Sequence, residues 1–218
     1  MSKSAIELPL FPLSVVLFPG TVLPLHIFEP RYRQMIEHCM EEQKSFGVVQ
    51  AKAGSQFMLE EPHPVGTIAE VHDFQKLDDG CYNLIAVGIR RFRILSQHRE
   101  KPYLSGFVEP YDDALEPEDV LREQMQQARV LFETYLNMLL DTSEDERTAH
   151  MSFPDVPEEL SYFIAYFLEI ENAKKQQFLE LVSTQERLKQ EIDILRREVP
   201  FIRQILYKKP DDRLAKLN

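Results

Sequence analysis

The sequence predicts an α+β protein: a β-rich N-terminal part, folded as an antiparallel β-barrel or twisted sheet with one helix, followed by a C-terminal helical bundle. Three observations predict it. Roughly the first 110 residues carry short runs rich in Val, Ile, Leu and Phe, punctuated by Pro and Gly. Beyond residue 112 the apolar residues recur in steps of four and three, the helical period. The chain has 218 residues, 44% of them hydrophobic and 28% charged, enough for one large domain or two small ones.

The expected strands come first. Residues 6–11, 13–18 and 21–28 are strand-like, with a Pro19-Gly20 turn before the last of them. Pro24 then belongs to an edge or a bulge, because proline cannot donate to a ladder. In "FEPRYR", Pro30 fits the first turn of a helix, where its missing N–H is no loss. Tyr32, Met35, Ile36, Cys39 and Met40 follow at helical spacing, while Arg33 and Glu37 pair on the other face. Phe28, at this strand-to-helix junction, is expected to pack inward. Strands are predicted over 45–51 and 65–77, and Asp78-Asp79-Gly80 suits a tight hairpin turn. Strands over 81–88, 89–97 and 103–111 complete the set.

Helices follow. Pro117, Glu118 and Asp119 give the first turn of a helix with the stripe Leu121, Met125, Ala128, Phe132, Tyr135 and Leu139. After the acidic stretch 141–150 come two short helices. The last helix opens on the capping box Ser183-Thr184-Gln185-Glu186. Its stripe is Leu188, Ile192, Leu195, Val199, Ile202 and Leu206. Pro200 should kink or break it, so that Phe201, Ile202 and Ile205 cover a second part of the core. The run is too short for a coiled-coil seam, so intramolecular packing and a monomer are expected. The expected organisation is residues 1–111, β-rich, and 112–218, helical.

The formal net charge is −11. That disfavours a protein that grips nucleic-acid backbones generally, and also an anionic membrane surface. No apolar run approaches the about 20 residues of a membrane span, and "MSKSAIELPLF" has no signal-peptide core. A cytoplasmic protein is expected. Charge is uneven: residues 187–218 hold nine Lys or Arg against five Asp or Glu.

The ordered motifs "LPLFPLSVVLFPGTVLPLHIFEPRYR", "FGVV" and "VGTIAEVHDFQKLDDGCYNLIAVGIRRFRILS" strongly resemble the N-terminal substrate-binding domain of Lon proteases. They are similar to small free-standing Lon N-domain-like proteins of bacteria, and a related segment occurs in cereblon. The likeness is strongest over residues 6–97 and continues through "DVPEELSYFIAYFLEI" and "KKQQFLELVSTQERL". The resemblance implies a PUA-like barrel followed by a helical bundle, and a role in recognising exposed apolar or extended protein segments. It does not bring protease chemistry with it. The phosphate loop G-x-x-x-x-G-K-[ST] is absent, and the only seven glycines place none.

Other chemistry is weakly signalled. The six histidines and Cys39 and Cys81 show no metal-ligand spacing, so no metal and no cofactor is expected. G-x-S-x-G is absent, and no catalytic residue is assigned; a cryptic hydrolase built on a Cys–His pair is the weakest alternative. The basic run "IRRFRILSQHREK" is the best nucleic-acid candidate, because PUA-like folds include RNA binders. Strand alternation sets Arg91 and Arg93 on one face, which reads as a solvated strand face that discourages aggregation. The candidate protein-binding residues are Glu29, Arg31 and Tyr32 at the strand-to-helix junction, with Arg91 expected nearby. The leading expectation is a non-enzymatic protein- or peptide-binding module; an RNA-binding protein is the alternative.

Overall fold

The computed structural model of the protein describes residues 5–42, 44–52, 61–140 and 152–208, with side chains as far as 204. The strands are β1 (Ile6–Leu13), β2 (Val22–Ile27), β3 (Phe46–Gln50), β4 (Val65–Lys76), β5 (Tyr82–His98) and β6 (Leu104–Pro110). The helices are α1 (Pro30–Glu41), α2 (Glu118–Leu140), α3 (Pro157–Phe167), α4 (Asn172–Glu180) and α5 (Thr184–Lys208). Contacts divide the chain into two units: Met1–Ala114 with Ala165–Val182, and Leu115–Ile164 with Ser183–Asn218.

In the first unit the strands lie in the order β2-β5-β4-β3-β1-β6, and β6 pairs back onto β5. Five strands therefore close a ring, with β2 lying outside it. The long β5 makes this possible: Tyr82–Val87 pairs with β2, and Phe92–His98 pairs with β6. Neighbours are antiparallel except β1 and β3, which run parallel from Leu10 opposite Gly47 to Leu13 opposite Gln50. The expectation of a purely antiparallel sheet is corrected here. β2 and α1 form the crossover that a parallel pair needs.

Two strand expectations are also corrected. Residues 14–18 are irregular rather than a strand, although Val16, Leu17 and Phe18 are buried. The Leu17 carbonyl accepts from Thr67 Oγ1 at 2.6 Å, and Phe18 O accepts from Thr21 Oγ1 at 2.8 Å. These bonds replace a ladder. The expected Pro19-Gly20 turn is present, with Gly20 at φ 75. Secondly, residues 81–88 and 89–97 form one strand rather than two. Ile89 is an extra residue between the pairs Gly88–Ala69 and Arg90–Ile68, a β-bulge.

Leu8, Leu10, Val49, Phe92, Leu104 and Val108 form one buried cluster, inside the ring. Gly47 is needed there: a Cβ at this position would lie 2.6 Å from the Phe92 ring. The opposite sheet face packs Phe11, Phe46, Val48, Ala69 and Leu84 against Tyr32, Met35, Ile36 and Cys39 of α1. Each such buried side chain contributes about 1.5–3 kcal/mol. α4 docks on the strands through Gln176, whose Nε2 donates to Val65 O at 3.0 Å, and Tyr111, whose hydroxyl donates to Glu180 O at 3.0 Å.

In the second unit α2 and α5 pack together. Their apolar core includes Leu121, Ala128, Phe132, Tyr135 and Leu136 of α2 and Leu188, Ile192, Ile194, Leu195 and Val199 of α5. Phe132, Phe153 and Phe163 meet edge to face, with centroids 5.8–5.9 Å apart. Ser183 caps α5: its Oγ accepts the Glu186 N–H at 3.0 Å and donates to Glu116 at 2.6 Å. α5 continues through Pro200 instead of breaking. The proline deprives only the carbonyl of Arg196, on an exposed turn where water can replace the bond. Phe201 accordingly stays exposed and covers no core; Ile205 lies outside the described side chains.

Candidate functional site

The side chains of β2 alternate strictly. Leu23, Leu25 and Ile27 turn toward the α1 side, whereas Val22, Pro24 and His26 are exposed on the other face. Phe28 continues the exposed series at 62% accessibility, so the expected inward packing is corrected. Its ring stacks on His26, 6.0 Å between centroids and 24° between planes. Ladder partners extend this face: Ile85 opposite Pro24, Asn83 opposite His26, then Asp73 and Gln75 on β4. Ile85 is exposed, and His26 Nδ1 is hydrogen-bonded to Asn83 Oδ1 at 2.7 Å. The result is an apolar stripe with a polar rim, over a depression of about 430 Å³ lined by Pro24, His26, Phe74 and Ile85. Phe74 is half exposed at its edge.

This face has a structural origin. Directly opposed residues share a face, so the side of β4 and β5 that carries Gly66 and Phe92 inside the ring runs on to Ile85 and Asp73. Where β6 ceases to pair with β5, that side has no ring to close over it.

A second feature lies at the β2–α1 junction. Pro30 is in the first turn of α1 and Glu29 is its N-cap residue, with no capping bond from its side chain. Glu29 instead receives the Arg31 Nε–H at 3.0 Å. The Arg31 guanidinium lies 4.4 Å from the centroid of Tyr32, a buried ring that itself packs on Phe11 at 4.3 Å. Glu29, Pro30 and Arg31 line a cleft of about 400 Å³ together with Arg99, Lys101, Pro102 and Tyr103. The Tyr103 hydroxyl is hydrogen-bonded to His38 Nδ1 at 2.8 Å.

Three of the four sequence candidates, Glu29, Arg31 and Tyr32, thus come together. Arg91 does not join them. It is 3% exposed and donates from Nη1 to Leu179 O and Leu181 O at 2.6 Å, at the C-terminal end of α4. Its Nη2 pairs with Asp113 at 3.1 Å, and Tyr111 lies beneath it at 5.0 Å. Carbonyls at a helix C-terminus favour a cation, so Arg91 is an anchor for α4 and not a surface charge. The bulge at Ile89 explains the misplacement. Without it Arg91 would continue the exposed face of Ile85; with it Arg91 lies opposite Thr67, on the face of Leu84 and Ala86.

The basic run is therefore dispersed. Arg91 is buried, Arg93 faces Glu109 at 3.7 Å, and only Arg99 and Lys101 reach the cleft. The exposed Arg90 and Arg93 lie on opposite faces of β5, so they form no single row along the strand. The two cysteines are poor nucleophiles. Burial, with Glu42 adding to it, pushes the Cys39 thiol up to about 11; burial and Asp79 raise Cys81 as well. Among the described residues no three His, Cys, Asp or Glu side chains are grouped to hold a metal ion, and no helix is long and apolar enough to cross a membrane.

Comparison with known proteins decides the family. Residues 7–197 match the family described as the ATP-dependent protease La (LON) substrate-binding domain. The chain belongs to that family. A Lon N-terminal domain protein from Xanthomonas campestris, solved by crystallography, has TM-score 0.62 and 30% identity, over 85% of this chain and 96% of that one. The N-terminal domain of the Mycobacterium avium complex Lon protease shares the fold at TM-score 0.67 and 20% identity, over 87% of this chain and 98% of that one. Lon protease of Anaeromyxobacter dehalogenans is 29% identical over 88% of this chain and 23% of its own length. For Lon protease of Escherichia coli K12 the values are 28%, 90% and 25%. The chain thus spans about a quarter of the length of these curated relatives.

What sequence reading missed was the outward side of the Lon-domain junction: Phe28, His26 and Val22 on the stripe, and Arg99, Lys101 and Tyr103 in the cleft. One signal was available. Pro24 marks an edge strand, and Phe28 shares its parity.

Proposed function

We propose that the chain is a non-catalytic protein-recognition module, and that it captures apolar, extended segments of other proteins on the stripe formed by Val22, Pro24, Phe28 and Ile85. The observation that carries this reading is the exposure of these residues on one face of β2, its extension to Phe28 and its β5 partner Ile85, while on the other face of β2 Ile27 is buried and Leu23 and Leu25 are partly buried against the core. Contiguous exposed apolar surface with a polar rim marks interaction sites. Membership of a family described by substrate binding supports the same reading. Side-chain packing on the stripe is favoured over addition of a strand to the β2 edge, because Pro24 blunts that edge.

The module needs no cofactor or metal, and we take it to act as a cytoplasmic monomer. Within these 218 residues there is no phosphate loop, and both thiols are held protonated. The purified chain is expected neither to hydrolyse ATP nor to degrade casein. The direct test is fluorescence polarisation with a labelled, unstructured peptide rich in Leu and Phe. Phe28→Ser should weaken binding about tenfold or more, as aromatic anchors at interfaces do. Unchanged affinity in Phe28→Ser and Ile85→Ser would reject the stripe as the site.

A further inference from the structure

We propose that the cleft lined by Arg31, Arg99, Lys101 and Tyr103 is a second recognition site, and that it takes an acidic segment of a partner protein, an Asp or Glu side chain set beside an apolar residue. The proposal rests on the protein-recognition reading only in taking a polypeptide as ligand; the cleft and the stripe are separate surfaces of the first unit.

Charge complementarity supports it. The chain carries −11 overall, yet this cleft gathers three cations and one carboxylate, Glu29. A cationic cleft in an acidic molecule attracts an anion and discriminates against basic segments. Two of the cations are also held in place. Arg31 is fixed between the Glu29 carboxylate at 3.0 Å and the Tyr32 ring at 4.4 Å. Lys101 lies 5.7 Å from the centroid of Tyr103, and Tyr103 is held by His38. Side chains positioned before the ligand arrives lose less entropy on binding.

The walls define the rest of the ligand. Pro30, Pro102 and the Tyr103 ring give rigid, largely apolar surfaces, and the volume of about 400 Å³ suits one or two side chains. A guanidinium presents paired donors that match a carboxylate. A nucleic acid fits less well. Its phosphates repeat along a line, and the cations upstream on β5 are not aligned with one another: Arg91 is buried under α4, Arg93 faces Glu109, and the exposed Arg90 lies on the opposite strand face from Arg93.

The test uses the full chain and three labelled peptides of equal length: one alternating Glu and Leu, the same peptide with Gln for Glu, and the same with Lys for Glu. A single-stranded RNA of 20 nucleotides is the fourth probe. The Glu peptide is expected to bind at least about tenfold tighter than the Gln peptide, and the Lys peptide weakest. Its affinity should fall as salt rises from 50 to 300 mM. The Arg99→Glu/Lys101→Glu variant, and the milder Arg99→Gln/Lys101→Gln, should abolish the preference for Glu over Gln while leaving the thermal midpoint in place. Phe28→Ser should weaken the Leu- and Phe-rich peptide and keep the Glu preference; that separates failure of the stripe from failure of the cleft. Equal affinity for Glu and Gln peptides, or a Glu preference that survives both double variants, would overturn the proposal. So would tighter binding of the RNA that the double variants remove.

Discussion

Two faces of one short strand meet opposite ends. Leu23, Leu25 and Ile27 of β2 lie on the face that packs with α1, while Val22, Pro24, His26 and Phe28 remain in contact with water. Both sets contain residues that a core would accept. The difference teaches that folding uses only one side of this arm, so the apolar character of the other side is not explained by stability. The same logic separates two arginines of similar sequence context. Arg91 is consumed by the fold, and Arg99 lines a cleft.

The comparison breaks if the inner residues are dispensable. Arg91→Ala should have the largest effect, because it strands Asp113, the Leu179 carbonyl of α4 and the Leu181 carbonyl just beyond it in a largely buried place. About 3–5 kcal/mol is the usual cost of breaking a buried pair from one side, and urea denaturation reads it. Ile27→Ala follows, at about 2–4 kcal/mol for an aliphatic truncation that leaves a cavity. Its loss should appear as a lower urea midpoint with an unchanged slope.

A buried polar group of the second unit sharpens the point. Glu191 is fully buried, and burial drives its carboxyl well above the usual range, although Arg187 and the Ser161 hydroxyl, donating at 2.9 Å, pull the other way. Relative to the unfolded chain, the folded state therefore favours the protonated form. Its contribution is fully present below the ordinary glutamate value of about 4.3 and is lost as pH rises through the raised folded value. Wild type should accordingly lose stability relative to Glu191→Gln as pH increases over that window. Urea midpoints of the two proteins measured from pH 4 to 9 check it; a constant difference would contradict it. The smallest effect belongs to the outer face. Phe28→Ala should change stability by no more than about 0.5 kcal/mol, as exposed substitutions do.

The legible parts of the sequence were those governed by local rules. Pro30 opening α1, the positive φ of Gly20 and Gly80, and the Ser183 cap all follow from backbone chemistry within a few residues. In the helical stripes of α2 and α5, Leu121, Ala128, Phe132, Tyr135, Leu188, Ile192, Leu195 and Val199 are buried as read, because a 3.6-residue period persists over many turns; Met125, Leu139 and Ile202 are half-buried, and Leu206 lies outside the described side chains. The illegible parts depend on partners distant in sequence. Nothing near Ile89 announces a bulge; it exists because β4 and β5 must stay in register across a curved ring, and it alone moves Arg91 from surface to interior. Residues 14–18 have strand composition but find no strand to pair with, and so are buried as an irregular segment. Phe28 is as apolar as any core residue. Only the side on which α1 packs decides that it faces water. Helical spacing marks α4 as a helix, but its grouping with the strands is written in contacts from Val65, Arg91 and Tyr111, more than 60 residues away.

The central claim is that the outer face of the β2 arm receives apolar protein segments. Amide chemical-shift mapping of the isotope-labelled chain, titrated with the unstructured Leu- and Phe-rich peptide, tests it most directly. The account predicts that the perturbed amides cluster at Val22, His26, Phe28, Asn83 and Ile85, and that Phe28→Ser removes the perturbation. Saturable shifts confined to α2 and α5, with the β2 amides unmoved, would contradict it.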